Sequence, residues 1–223
     1  MDTNASPDPA TLLAKYNAMR DFSATPEPEG APAPPAGHLR FVVQKHDASQ
    51  LHYDVRLEVD GVLKSWSVPK GPSLNPSDRR LAMQTEDHPI AYAAFEGHIP
   101  EGQYGAGDMI IWDEGVYHPQ DKSLALIPDA EANAAASAAI TTGDFKFELD
   151  GKRLHGSWAL VKMKGRQENA WLLIKHGDAH ADRERIITDE KASIRTGELL
   201  PRDRGEPTTA QRRARTRKQE SNP

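Results

Sequence analysis

From Leu51 to Val59 apolar residues occupy every odd position, while His52, Asp54, Arg56 and Glu58 occupy the even ones. A period of two describes a strand with two unlike faces. Asp60-Gly61 follows at once, ahead of VLKSWSV. That pair is the strongest short hairpin signal, because a type I′ turn requires positive φ at both central residues. A β-hairpin over 51–68 is therefore predicted. Leu39, Phe41 and Val43 alternate in the same way upstream, and GDMIIWDEG, DFKFELD, KRLHGSWALVKMK and WLLIKH read as further strands, with Asp150-Gly151 repeating the turn device. Two segments read as helices: TLLAKYNAMRDF, with Leu12, Leu13, Tyr16 and Met19 at helical spacing, and the alanine-rich stretch at 128–140, which offers little bulk to bury and is expected to be a surface insertion. Many short strands and few helices predict a mainly β fold, a compact β-barrel with short peripheral helices.

A hydrophobic fraction of 37% and 17 prolines place some of the chain outside a packed interior. Residues 23–37, SATPEPEGAPAPPAG, read as an extended linker. The expected organisation is an N-terminal helix and Pro-rich arm over 1–37, a barrel over 38–200 and a basic disordered tail over 201–223. The net charge is -5, yet residues 202–223 carry seven Lys/Arg against three acids. Such a tail suits a solubilising terminus or a phosphate-binding arm. The absence of cysteine excludes disulfides and thiolate chemistry. With neither a signal-like start nor a long apolar run, a cytoplasmic, nucleoid-associated location without a membrane partner is expected.

His52, Asp54 and Arg56 share one strand face, with Cβ atoms roughly 6 to 7 Å apart along the row, and His46 stands just across the bend. Two imidazoles and a carboxylate suit a first-row divalent metal better than Ca or Mg. The same pattern also fits a solvated strand face, or a non-haem iron oxygenase in which His52 and Asp54 join a downstream histidine. Lys70 in VPKGPS, Arg80 in SDRRLAM, and His88 beside Tyr92 in EDHPIAY read together as a phosphate site, with Arg offering a bidentate fork and Lys a point charge. PEGQYGAGD has three glycines but leads into a strand, so neither a Walker nor a Rossmann loop is supported and a tight turn is expected. The sequence lacks G-x-S-x-G, and its remaining histidines show no informative spacing.

The runs FVVQKHDASQLHYDVRLEVDGVLKSWSVPKGPS, EDHPIAYAAFEGHIPEGQYGAGDMIIWDEG and GSWALVKMKGRQENAWLLIKH resemble the 3′-phosphoesterase domain of bacterial DNA ligase D, the multifunctional enzyme of non-homologous end joining. The resemblance extends over about 20–175. It implies a β-barrel that heals DNA 3′ ends with a divalent metal, Mn²⁺ by preference and Co²⁺ or another transition metal as substitutes. A terminal ribonucleoside is removed by a phosphodiesterase step, and the 3′-phosphate left behind is then removed to give a 3′-hydroxyl. The family's metal ligands fall on His46, His52 and Asp54, and its phosphate-contacting or otherwise essential residues on Arg56, Lys70, Arg80, His88 and Tyr92. Its N-terminal arm falls on Arg20, Asp21 and Glu27, which are expected to form a mobile arm that orders over the phosphate. The implied substrate is a primer-template ending in a 3′-ribonucleotide or 3′-phosphate. As a stand-alone form the chain would rely on a separate ATP-dependent ligase and an end-binding protein. A noncatalytic DNA-end-binding module is the alternative. The stretch from His118 to Thr142 is longer and richer in alanine than the family leads one to expect.

Overall fold

A computed structural model describes residues 8–33, 37–212 and 214. Ten strands follow one another: β1 (Arg40–Asp47), β2 (Leu51–Val59), β3 (Val62–Val68), β4 (Arg80–Gln84), β5 (His88–Pro89), β6 (Gly97–Ile99), β7 (Gly107–Gln120), β8 (Asp144–Gly151), β9 (His155–Lys162) and β10 (Ala170–Lys175). Eight of them form an antiparallel ring in the order β1-β2-β3-β4-β10-β9-β8-β7, which the β1–β7 pairing closes; β5 and β6 add on outside it. Closure removes the free edges that a flat sheet would expose. Among the described residues no helix is long and apolar enough to cross a membrane.

The odd face of β2 turns inward. Tyr53, Val55, Leu57 and Val59 pack with Trp66, Trp112, Trp158, Trp171, Phe145 and Phe147 in one cluster that fills the barrel. Burying each such side chain contributes about 1.5–3 kcal/mol, so this cluster is the main source of stability. The turn after β2 is as expected, with φ of 53° at Asp60 and 73° at Gly61. Asp60 also organises its surroundings. Its backbone N–H donates to Asn133, and its carboxylate accepts from Asn133 and Ser137 of α3 (Asp129–Thr142). The alanine-rich insertion is thus a real helix. Its small residues Ala132 and Ala136 are buried, so it lies close to the barrel wall.

The second turn differs from expectation. Asp150 pairs with His155 and the Gly151 N–H donates to the Leu154 carbonyl, so the loop centres on Lys152-Arg153 instead of Asp150-Gly151. Buried Asp113 decides this by accepting the backbone N–H groups of Lys152, Arg153 and Leu154. Gly151 is needed for space: a Cβ there would lie 2.6 Å from Asp113 Oδ2 and 2.7 Å from Phe41.

Three expectations for the ends need correction. The single N-terminal helix is two short ones, α1 (Pro9–Leu12) and α2 (Ala14–Ala18), and Asp21 then starts a turn by accepting the Ser23 N–H. The proline-rich segment is packed through residue 33, the last described before 37. Tyr16 donates to the Pro28 carbonyl at 2.6 Å, Asn17 exchanges two hydrogen bonds with Gly30, and Thr25 and Glu27 are buried. The start of the basic tail is also folded, with Thr208 and Thr209 buried. Lys45 and Asp47 share the inward side of β1 with Phe41 and Val43, and buried charges require partners. Asp203 pairs with Lys45, and Arg202 lies 3.1 Å from Asp47. The tail beyond Arg212, apart from Ala214, lies outside the described residues.

Candidate metal and phosphate site

The even face of β2 points out of the barrel yet is covered. The arm from Tyr16 to Glu27 and the segment from Glu86 to Gly105 close over it, and a second apolar cluster of Tyr16, Leu63, Ile90, Tyr92, Ile99 and Met109 packs alongside. Asp54 and Arg56 are buried in consequence, which excludes the solvated-face reading.

Antiparallel pairing sets His46 of β1 directly opposite His52 of β2, with ring centroids 4.7 Å apart. His46 Nδ1 lies 3.7 Å from Asp54 Oδ2, and His52 Nε2 lies 3.6 Å from Asp54 Oδ1. Donor atoms of these three residues all fall within 4.8 Å of one another, and no other group of the described residues does this. The third donor is therefore the upstream His46, whereas an iron-oxygenase arrangement requires a downstream histidine.

Several features fit a cation at this point. His46 Nε2 lies 2.9 Å from the Gly105 carbonyl and His52 Nδ1 lies 2.9 Å from the Gln50 carbonyl. Metal-binding histidines commonly donate their second N–H to a carbonyl in this way, which aims the other nitrogen's lone pair at the ion. His46 Nδ1 is buried without a hydrogen-bond partner. Burial lowers the pKa of His52, with Asp54 opposing and His46 assisting, so the ring stays neutral and able to donate a lone pair. Burial alone would raise the Asp54 pKa, but Arg56, His46 and His52 hold the carboxyl well below its usual range.

Next to the donor triad is a cavity of about 290 Å³ with two guanidinium groups in its lining. Arg56 is held at every corner: Nε donates to Gln44 Oε1 at 2.7 Å, Nη1 to Ser65 Oγ at 2.9 Å and Nη2 to Asp54 Oδ2 at 2.9 Å. Arg20 comes from the arm. Its Nε donates to Glu27 Oε1 at 2.9 Å, its Nη atoms reach Glu86 at 3.4 Å, and it stacks 3.8 Å over the Tyr16 ring. Glu27 also accepts from the Tyr92 hydroxyl at 2.8 Å and from Thr25 at 2.9 Å. Burial raises the Tyr92 pKa well above the ordinary phenol value, so that hydroxyl stays protonated.

His88 lies between the two guanidiniums, its Nδ1 3.0 Å from Arg56 Nη1 and its Nε2 3.3 Å from Arg20 Nη2. Burial, then Arg56, then Arg20 hold its pKa well below the histidine norm. The imidazole is therefore neutral near pH 7.

Arg20, Glu27, His46, His52, Asp54, Arg56, His88 and Tyr92 are thus brought together. Three expected residues stand apart. Lys70 is exposed and Arg80 donates to Asp78 at 2.9 Å, and both line a separate cleft of about 360 Å³. Asp21 faces solvent and caps its own turn. Sequence reasoning missed Gln44, Ser65, Glu86 and Tyr16. Gln44 precedes His46 by two on β1, so the period that picked out His46, His52 and Asp54 also marks it.

A family model of the DNA ligase D 3′-phosphoesterase domain matches residues 44–162. The chain is 46% identical over 211 residues to a multifunctional non-homologous end joining protein LigD of Pseudomonas aeruginosa, covering 91% of this chain and 24% of that one. It is 44% identical over 164 residues to the protein of the same description from Mycolicibacterium smegmatis, covering 73% and 20%. The chain thus spans a quarter or less of the length of these relatives.

Proposed function

The chain belongs to the DNA ligase D 3′-phosphoesterase family, and from this we propose that it is a metal-dependent phosphoesterase that heals DNA 3′ ends. The observation that carries the reading is the His46, His52 and Asp54 donor triad beside a cavity armed by Arg56 and Arg20. In the first reaction water cleaves the ester between the 3′-phosphate and a terminal ribonucleoside, releasing that nucleoside. In the second, water releases inorganic phosphate and leaves a 3′-hydroxyl. Ligation of the healed 3′-hydroxyl end then falls to an ATP-dependent ligase working with an end-binding protein.

His46, His52 and Asp54 would hold a divalent transition metal, Mn²⁺ or Co²⁺, which supplies Lewis acidity at a phosphoryl oxygen. The protein's own groups do the rest. Arg56, fixed by Gln44, Ser65 and Asp54, presents a guanidinium that needs no reorganisation as charge grows on the phosphoryl oxygens. Arg20 has longer contacts to Glu86 and is freer to turn toward the phosphate, while Glu27 anchors its Nε. His88 is neutral; its Nδ1 lies 2.9 Å from the Glu86 carbonyl and donates to it, which leaves Nε2 to accept from Arg20 and makes the ring a positioning group in preference to a proton donor. Tyr92 holds Glu27 and faces Arg56 at 4.8 Å from its ring centroid. Lys70 and Arg80 line a separate cleft, where they would offer positive charge to the DNA backbone away from the scissile phosphate.

The test is a 5′-labelled primer-template ending in one ribonucleotide, incubated with Mn²⁺ or with EDTA. Metal-dependent shortening to a 3′-phosphate and then a 3′-hydroxyl end is expected. An untouched primer with every divalent metal, together with EDTA-insensitive binding, would replace this reading with the noncatalytic end-binding module.

A further inference from the structure

All Phe, Tyr and Trp side chains of the chain lie in the described residues, and only Tyr104 among them is exposed, at 47%. Its neighbours in kind are enclosed by the barrel, the arm or the second cluster. Leaving one large ring open to water while burying the rest is informative, because an exposed aromatic offers a face to a flat ligand. Tyr104 lines the rim of the phosphate cavity, with the Arg20 guanidinium 5.5 Å from its ring centroid.

The loop that carries Tyr104 is well held. Gly102 and Gly105 flank it in the left-handed region, with φ of 89° and 74°. Turn hydrogen bonds from Gln103 to Pro100 and from Ala106 to Gln103 stitch it. The Gly105 carbonyl, one residue on, lies 2.9 Å from the metal-donor ring of His46. The aromatic ring is therefore tied in register to the metal triad.

Size gives the second argument. Pockets that enclose a drug-sized ligand run from about 300 to 1,000 Å³, and this cavity of about 290 Å³ lies just below that range. A cavity of that size does not enclose a nucleic-acid end, so the end must extend past the rim, where Tyr104 lies. A π-face there stacks on any base without reading its sequence, as an end-healing enzyme requires.

Resting on the phosphoesterase reading, the geometry points to Tyr104 as the stacking platform for the nucleobase at the DNA 3′ end, a residue that positions the terminal phosphoester over the metal donors. It takes no part in bond breaking, so its effect belongs in affinity and KM.

The experiment measures equilibrium binding of a primer-template end in EDTA, and KM and kcat in Mn²⁺, for wild type, Tyr104→Ala and Tyr104→Phe. Each is tested on an end that bears its base and on one whose terminal nucleotide is abasic. Tyr104→Ala should weaken binding of the base-bearing end by about 5- to 150-fold, raise KM alike and leave kcat within a few-fold. Tyr104→Phe should restore both. On the abasic end wild type should already be weak and Tyr104→Ala no weaker. An equal loss on both ends, or none on the base-bearing end, overturns the inference. Wild-type binding without cleavage in any metal would sink the phosphoesterase reading while leaving the stacking result to stand or fall by itself.

Discussion

His46 Nδ1 lies 3.7 Å from Asp54 Oδ2, buried and without a hydrogen bond, while the other nitrogen of the same ring sits 2.9 Å from the Gly105 carbonyl. A lone pair kept dry and aimed at a carboxylate is costly unless something positive comes between them.

Metal should therefore stabilise the fold. At about 100 times its Kd, Mn²⁺ should add about 2.7 kcal/mol to the unfolding free energy of wild type. His52→Ala, at a partly exposed position, should lose that increment and lower both cleavage activities by on the order of 100-fold or more. Its metal-free melting temperature should stay near that of wild type. Thermal melts with and without Mn²⁺ check this, and a variant still stabilised by metal contradicts the ligand set.

The arm should divide sharply by residue. Glu27 accepts from Arg20, Tyr92 and Thr25 in a buried setting, so Glu27→Ala leaves a buried guanidinium short of its partner and should cost about 3–5 kcal/mol. Asp21→Ala, on the surface, should stay within about 0.5 kcal/mol. Urea denaturation separates the two, and 3′-phosphate removal should fall only with the first.

Acid should weaken the fold through His88. The unfolded chain takes up a proton near the ordinary histidine value of about 6.5, whereas burial, Arg56 and Arg20 keep the native ring neutral well below it. The unfolded state then binds more protons, so stability is complete above that pH and is lost as pH falls through it, by up to about 1.4 kcal/mol per pH unit. His88→Gln should flatten this part of the profile in urea melts at about pH 7.5 to 5. An unchanged slope would mean that the ring charges freely in the native state.

The C-terminal segment should behave as structure. Asp203→Ala strands Lys45 inside the barrel end and should cost about 3–5 kcal/mol, while Arg202→Ala should cost less because that side chain is 36% exposed. Truncation after Leu200 should cost at least as much as the larger of these. A truncated chain with wild-type stability in urea would return the segment to the status of a loose tail.

The barrel and the cluster of His46, His52 and Asp54 were legible in the sequence because both follow from one period of two: odd residues of β2 fill the interior and even ones line the cavity. Cross-strand pairing of His46 with His52 needed only the short bend between β1 and β2. The arm was not legible, since a run of Pro and Ala reads as linker, and its docking depends on single contacts such as Tyr16 with Pro28 and Asn17 with Gly30. The C-terminal anchor left a trace that went unused. Lys45 and Asp47 continue the inward series of Phe41 and Val43, and charges on that side demand counter-charges from elsewhere. Lys70 and Arg80 show the opposite limit, where residue type suggested a phosphate site but backbone direction placed them in another cleft.

The turn at Asp60-Gly61 sets the phase of everything before it. One residue of register slip there would exchange the two sides of β2, swinging His52 and Asp54 into the aromatic interior and Tyr53 and Val55 into the cavity. Asn133 and Ser137 clamp Asp60, so the alanine-rich helix, which contributes nothing to the cavity lining, braces the turn that ends the strand carrying His52 and Asp54.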